Sequence, residues 1–248
     1  MTGPAQGAVL VLGARSDMGV AIAHRFARAG HPLWLAGRDV EAMAADAADI
    51  GLRHGVDTRT LAFDALDVAG HAAFVAALPA VPAVVVCCVG LLGDQAESQR
   101  DAAAASLVLR SNFEGPALAL EALAEPMAAA GGGSIVGIGS VAGERGRASN
   151  YVYGAAKAGF AAYLSGLRNR LAGRGVQVLT VLPGYVATRM TAGMTLPPAL
   201  TAQPAEVGEA VYRAVIAGRD VIHVRPVWGL IMAIIRALPE TLFKRLKL

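Results

Sequence analysis

The feature that most constrains this chain is an alternation. Short apolar β-type runs recur at Ala8–Leu12, Pro32–Ala36, Thr58–Phe63, Ala83–Val89, Ser134–Gly139, Val176–Leu182 and Val221–Val224. Between them lie Ala-rich segments that read as helices, at about 18–29, 40–53, 69–78, 101–130, 150–173 and 205–217. The β-type runs are apolar at successive positions, so both faces of each strand are buried. Strands of that kind, separated by helices, pack as a parallel sheet covered on both sides. The expected fold class is α/β, a doubly wound parallel sheet of about seven strands. No repeat, low-complexity tract or linker interrupts the pattern, so residues 1–248 read as one domain.

Composition removes the competing classes. At 55% hydrophobic and 17% charged residues the chain is too apolar for intrinsic disorder, and its 29 glycines follow no three-residue period. A mean hydropathy of +0.49 raises a membrane reading. The longest stretch without Asp, Glu, Lys or Arg runs from Val68 to Gly93, but it contains His71, Pro79 and Pro82 and turns β-branched at Val84–Val86. Proline in a helix interior costs about 3 kcal/mol, so this stretch reads as helix, turn and buried strand. The first apolar run has no positive charge before it and no cleavage-like site after it, so no signal peptide is expected. Net charge is +3, with no basic run interleaved with aromatics, which leaves nucleic-acid binding unsupported. The two cysteines, Cys87 and Cys88, are adjacent at a buried strand end and suggest neither a disulfide framework nor a metal site. A reducing, cytoplasmic location is expected.

Chemistry enters with Gly13-Ala-Arg-Ser-Asp-Met-Gly19, a glycine-rich turn between the first strand and the first helix. Such a turn lets backbone N–H groups and a helix N-terminus meet a pyrophosphate, as in Rossmann folds. Gly13, Arg15, Ser16, Asp17, Met18 and Gly19 are therefore candidate cofactor contacts. Asp17 stands where the middle glycine is usual, and a carboxylate there repels phosphate unless it turns inward to cap the helix. The competing reading is a tight turn with Asp17 as N-cap. The second strand ends Gly37-Arg38-Asp39. An acidic residue there binds the 2′-hydroxyl of NAD, whereas an arginine suits the 2′-phosphate of NADP. Arg38, with Arg15 nearby, favours NADP(H) over NAD(H), while Asp39 leaves room for NAD. Asp64 either accepts from an adenine amino group or caps the next turn.

Tyr153 and Lys157 are four apart on a helix and share a face. An isolated tyrosine, with a pKa near 10, is a poor acid–base at neutrality, and a neighbouring ammonium favours the phenolate. By itself Tyr-x-x-x-Lys is common.

In order and spacing, however, the chain resembles a classical short-chain dehydrogenase/reductase. The resemblance runs through the glycine turn, Asp64, Asn112-Phe-Glu-Gly115, Ser140 thirteen residues before Tyr153, Lys157, and Pro183-Gly184-Tyr185-Val186-Ala187-Thr188. It implies an NAD(P)-dependent oxidoreductase acting on a carbonyl or secondary alcohol, with Tyr153 as general acid or base. Ser140 would hydrogen-bond the same oxygen. Lys157 would lower the tyrosine pKa and hold the nicotinamide ribose. Asn112 would anchor a proton-relay water. Pro183, Gly184, the Val186 backbone and Thr188 would fix the carboxamide, while Tyr151 reads as a pocket wall. Family analogy also implies a homodimer or homotetramer through the helices at 101–130 and 150–173.

Two departures stand out. Asp17 replaces a glycine, and the usual Asn-Asn-Ala-Gly after the fourth strand reads Cys87-Cys88-Val89-Gly90, which keeps Gly90 but loses the amides. They motivate a rival of another class, a non-catalytic dinucleotide sensor or scaffold.

Residues 189–204, rich in threonine and proline with Arg189 as the only charge, read as a mobile substrate lid. The segment 143–147 reads either as charge at the pocket mouth or as a solvated loop. The tail, 227–248, joins nine uncharged residues to a basic end. It is too short to span a bilayer and suits either an interfacial membrane helix or a subunit interface. Gly90-Leu-Leu-Gly-Asp94, Ala142-Gly-Glu-Arg145 and this tail are similar to the family branch containing a decaprenylphosphoryl-2-keto-ribose reductase, implying a lipid-like or lipid-linked keto substrate.

Overall fold

A computed structural model describes residues 7–246. Residues 1–6 of the expected domain, and Lys247 and Leu248 of the tail, lie outside the described residues.

Seven parallel strands form one sheet in the order β3-β2-β1-β4-β5-β6-β9. They are β1 (Val9–Leu12), β2 (Leu33–Gly37), β3 (Thr58–Ala62), β4 (Val84–Cys87), β5 (Gly133–Ile138), β6 (Val176–Pro183) and β9 (Val221–Val224). The expected strands are all present, with ends shifted by at most two residues and Val221–Val224 matched at both. The pleat divides the five inner strands between two cores, whereas the edge strands β3 and β9, expected to be buried on both faces, are only partly covered because each has a neighbour on one side alone. Val9, Val11, Leu33, Leu35, Val84 and Val86 pack on one face against Ile22, Phe26, Val207 and Val211. Leu10, Leu12, Trp34, Val85 and Cys87 pack on the other against Leu120, Leu123, Phe160 and Leu164.

The first face is covered by α1 (Asp17–Ala27), α2 (Val40–His54) and α8 (Pro204–Ile216). The second is covered by α3 (His71–Ala76), α6 (Gly115–Ala129) and α7 (Tyr151–Leu171). The stretch expected as one helix over 101–130 is α5 (Ala102–Leu109), a π-helical turn at Arg110–Glu114 and then α6. The π-turn rotates Ser111 and Asn112 inward, both buried, while Phe113 and Glu114 stay exposed. Apolar periodicity continues across such a turn, which is why the sequence reads as one helix. A short α4 (Gln95–Ser98), capped by Asp94, precedes α5.

The order reverses between β1 and β4, whose outgoing chains go opposite ways. In open α/β sheets that switch point, at the carboxyl ends of the strands, is the ligand crevice.

The expected lid is partly structured. β7 (Tyr185–Val186) pairs with β8 (Thr201–Ala202) through Tyr185↔Thr201 and Val186↔Ala202, closing 185–202 into a loop. Two-residue strands leave no periodic signal. The tail folds back on its own chain as α9 (Val227–Ala237) and α10 (Glu240–Phe243). Trp228 and Met232 pack with Val141 and Leu182. The Trp228 ring fills the space a side chain on Gly184 would need, and its Nε1 donates to the Leu200 carbonyl at 3.0 Å.

Segment 143–147 explains that docking and is neither a pocket mouth nor a solvated loop. Arg145 Nη1 donates to the carbonyls of Ile235 and Leu238, both at 2.6 Å, and its guanidinium stacks 3.8 Å from the Phe243 ring centre. Glu144 pairs with His223 at 3.0 Å and Arg236 at 3.6 Å. Val227, Leu230 and Ile234 remain exposed. No helix among the described residues is long and apolar enough to cross a membrane.

Candidate functional site

The glycine turn leaves β1 at Gly13, whose φ of +76° favours glycine and whose missing Cβ would stand 2.9 Å from the Val89 nitrogen. The carboxyl ends of β1 and β4 therefore touch at the switch point. Ser16 caps α1, its Oγ accepting from the Gly19 amide at 3.0 Å. Asp17 is thus not the N-cap, as one reading expected. Its carboxylate turns outward: Oδ2 accepts from the Arg189 amide at 2.6 Å and Oδ1 from Arg189 Nε at 2.9 Å. Arg189 Nη2 also donates to the Arg15 carbonyl. One guanidinium from the expected lid thereby neutralises the acid that replaced the glycine. The amides of Asp17 and Met18 have no acceptor among the described residues. These two orphan donors at a helix N-terminus fit a pyrophosphate.

A cavity of about 590 Å³ runs along this end, lined among others by Gly13, Arg38, Asp64, Gly90, Ser111 and Arg189. Arg15 Nη1 pairs with Asp39 at 3.2 Å, while Asp39 Oδ1 accepts from the Ala42 amide at 2.9 Å and caps α2. Asp39 is thereby occupied on both oxygens. Asp64 caps its own turn, Oδ1 accepting from the Leu66 amide at 2.9 Å.

The segment after β4 does without its amides. The Cys88 amide donates to the Leu12 carbonyl at 2.8 Å, and Asn112 clamps the next residues. Asn112 Nδ2 donates to the carbonyls of Leu91 at 2.6 Å and Val108 at 2.8 Å, while Oδ1 accepts from the Leu91 amide at 3.2 Å. A Cβ on Gly90 would stand 2.9 Å from Asn112 Oδ1 and 3.4 Å from Lys157 Nζ, so both atoms border the same glycine face. Burial pushes the Cys87 thiol up to about 11 and the Cys88 thiol higher, leaving both as protonated packing groups.

At the reacting end, Ser140 leaves β5 and Tyr153 and Lys157 project from the first turns of α7. Burial raises the Tyr153 phenol above its ordinary value, and the nearby Ser140 hydroxyl pulls the other way. Lys157 is 3% exposed, with Nζ donating to the Ile138 carbonyl at 2.9 Å and lying 5.8 Å from the Tyr153 ring centre. Burial lowers its ammonium to about 8. The expected shift of Tyr153 toward phenolate by Lys157 is not what the site shows: burial is the largest influence on the phenol and raises it, so it stays protonated at neutrality. A second cavity, of about 370 Å³, opens beside Tyr153. Tyr185 and Met194 line it, whereas Tyr151, expected as a wall, is exposed and outside its lining.

Pro183 ends β6, Gly184 lies under the Trp228 ring, and Val186 is buried in β7. Thr188 is tied to Thr191 by a reciprocal capping box. The sequence offers no role for Arg189 or Gln95, and it reads Arg145 as pocket-mouth charge or solvated loop rather than as the tail's anchor. Arg189 had a signal: it is the only charge in 189–204, and an acid among phosphate donors needs a cation.

The comparisons with known proteins agree with this geometry. Residues 7–197 match the family model described as short chain dehydrogenase. An uncharacterized oxidoreductase of Mycobacterium tuberculosis (strain H37Rv) is 39% identical over 243 residues, covering 96% of each chain. A sulfoacetaldehyde reductase of Chromohalobacter salexigens is 34% identical over 188 residues, covering 74% of each. A short-chain dehydrogenase from Sphingobium yanoikuyae, solved in complex with NADPH, superposes with a TM-score of 0.80 at 25% identity, covering 94% of this chain and 97% of that one. By the family match and the near-full-length likeness to the mycobacterial oxidoreductase, this chain belongs to the short-chain dehydrogenase/reductase family of oxidoreductases.

Proposed function

We propose that the protein is an NADP(H)-dependent carbonyl reductase, working in reverse as an alcohol dehydrogenase, with residues 1–248 acting as one dinucleotide-binding and catalytic domain. The observation that carries this reading is the convergence of Ser140, Tyr153 and buried Lys157 beside a cavity, at the carboxyl end of the sheet that also bears the glycine turn.

The amides of Asp17 and Met18 would hold the pyrophosphate, with Arg189 beside them screening the Asp17 carboxylate. Arg15 and Arg38 would face the 2′-phosphate; Asp39, spent on Arg15 and on capping α2, would be a weak partner for a free 2′-hydroxyl. Asp64 would border the adenine. Lys157 and Tyr153 would hold the nicotinamide ribose, and the Val186 backbone with Thr188 the carboxamide. The nicotinamide, when bound, supplies or accepts the hydride.

Tyr153, protonated at neutrality, would give its proton to the carbonyl oxygen, and Ser140 would hydrogen-bond that oxygen as charge develops. The Lys157 ammonium, on the Ile138 carbonyl, would pass a proton onward along the glycine face that it shares with Asn112. Leu92, Val108, Val152, Tyr185 and Met194 in the second cavity suit a substrate with an apolar portion. The exposed row Val227, Leu230 and Ile234 is the face through which the tail would meet a second subunit or a lipid surface; sedimentation and vesicle flotation separate the two.

The test is cofactor consumption. Purified protein given NADPH and a panel of ketones should oxidise the cofactor. Dinucleotide binding with no turnover of any ketone would put the sensor reading in its place, and no binding at all the scaffold reading.

A further inference from the structure

Helix α9 carries one charge, Arg236, and is otherwise apolar all the way round. At about 3.6 residues per turn, Trp228 and Met232 fall on one side and Val227, Leu230 and Ile234 on the other. The first side is buried against the domain. The second is not: Leu230 is 65% and Ile234 58% exposed. A helix apolar on both sides is ordinarily covered on both, so the outer row calls for a partner. Leu242 and Leu246, in α10 and just after it, are exposed as well.

Charge narrows the choice of partner. Four of the 22 basic residues, Arg236, Lys244, Arg245 and Lys247, and one of the 19 acidic residues, Glu240, fall within 227–248. Residues 1–226 therefore hold eighteen of each sign, and the tail alone carries the chain's net charge of +3. Glu240 is taken up by Arg145 at 2.9 Å, while Lys244 and Arg245 are exposed and meet no acid among the described residues. Arg236 stays 57% exposed, with Nη1 3.6 Å from Glu144. A two-fold contact between copies sets a patch against itself, so it would bring one cationic tail onto another. An apolar row that ends in exposed cations instead matches a bilayer with anionic headgroups. There the aliphatic side chains enter the acyl boundary and the basic ones reach the phosphates.

We infer that the outer face of α9, with the basic end that follows it, docks the protein peripherally on an anionic lipid surface. This goes beyond the carbonyl-reductase reading and stands without it. Joined to that reading, it gives the tail a place at the site. The inner side of the same helix holds the substrate loop: the Trp228 ring lies edge-on to Tyr185, 5.4 Å between centres, and its Nε1 donates to the Leu200 carbonyl. Tyr185 and Met194 of that loop line the cavity beside Tyr153. Docking sets this loop beside the lipid, where a ketone with an apolar portion is concentrated.

The experiment floats the full chain, without cofactor or ketone, on vesicles of phosphatidylcholine alone or with about 30% phosphatidylglycerol. The protein should rise with the anionic vesicles and stay behind with the neutral ones, and about 0.5 M salt should release it. Leu230→Ser with Ile234→Ser should lower the vesicle partition coefficient by about tenfold or more. Lys244→Gln with Arg245→Gln should lower it by about 25-fold, at about fivefold per cation near an anionic surface. Both pairs lie on the surface, and an unchanged melting temperature shows that they fold. Failure of wild type to float with anionic vesicles overturns the inference and needs no variant. Equal flotation with both kinds of vesicle overturns it too, as does flotation that neither pair of substitutions weakens. So does a wild-type oligomer, seen by sedimentation, that Leu230→Ser with Ile234→Ser takes apart, because the row is then a subunit contact. None of these outcomes touches the reductase reading, which NADPH consumption tests alone.

Discussion

At the reacting end, Lys157 and Asn112 are 3% and 0% exposed and hold carbonyls of the sheet and of the segment after β4. At the phosphate end, Arg15 and Asp39, with side chains 47% and 56% exposed, pair with each other, and Arg189, 67% exposed, pairs with Asp17. One site is thus built in two ways. The dry end is fixed by hydrogen bonds whose loss strands a buried partner. The wet end rests on exposed ion pairs, each worth about 0–1 kcal/mol and weakened by salt. Substitutions are tolerated where the contacts are cheap to exchange. The candidate residues Ser140, Tyr153 and Lys157 stand at the dry end, and Asp17 with its partner Arg189 at the wet one.

Four predictions test that contrast, from the largest effect down. Tyr153→Phe should lower kcat by about 10³-fold, within the usual range for a general acid, and leave NADPH affinity by calorimetry within about threefold. A joint loss of binding would erase the division between the ends. Lys157→Met should cut turnover by about 10²-fold while the melting temperature at pH 7 holds or rises, since the buried ammonium opposes folding. The sign follows from its lowered value. Between about 8, folded, and 10.5, unfolded, the unfolded chain binds more protons, so this group adds stability as pH rises through that window. Below about pH 8 the folded state carries the whole cost, about 3 kcal/mol at 1.4 kcal/mol per pKa unit. Denaturant titrations from pH 7 to 10.5 that show no such slope for wild type, relative to Lys157→Met, would count against the dry-end account.

Arg189→Ala should weaken NADPH binding about tenfold, or about 1.4 kcal/mol, by leaving Asp17 unscreened. Adding Asp17→Gly should recover most of that loss, a non-additive cycle of the kind expected of contacting charges. Additive losses would show that the pair does not act on the cofactor together. The smallest effect is Arg38→Ala, which should lower the preference for NADPH over NADH by several-fold and flatten its dependence on salt between 0.1 and 0.5 M. An unchanged preference would move recognition of the 2′-phosphate onto Arg15 alone.

The legible parts of the molecule were those governed by local periodicity or a rigid motif. Runs such as Val84–Cys87, apolar on both faces, could only be interior parallel strands, and the spacing of Ser140, Tyr153 and Lys157 survives folding because a strand and a helix carry them. The π-turn at Arg110–Glu114 escaped because apolar residues continue through it, and β7–β8 because two residues make no pattern. Arg145 escaped for another reason. Its partners are the carbonyls of Ile235 and Leu238, about ninety positions away, and a carbonyl acceptor has no sequence signature.

By itself, then, the sequence determined the parallel sheet, the two-sided burial of its inner strands and the spacing that brings Ser140, Tyr153 and Lys157 together, because strand pleat and helix pitch convert spacing into position. The tertiary structure alone decided which groups meet: that Asp17 faces Arg189 rather than its own helix, that Gln95 rather than the N-cap Asn150 accepts from the Val152 amide of α7, and that the tail docks on Arg145. Those pairings depend on distance between remote segments, and in a low-dielectric interior or across a groove a shift of one side chain decides whether a charge is satisfied or stranded.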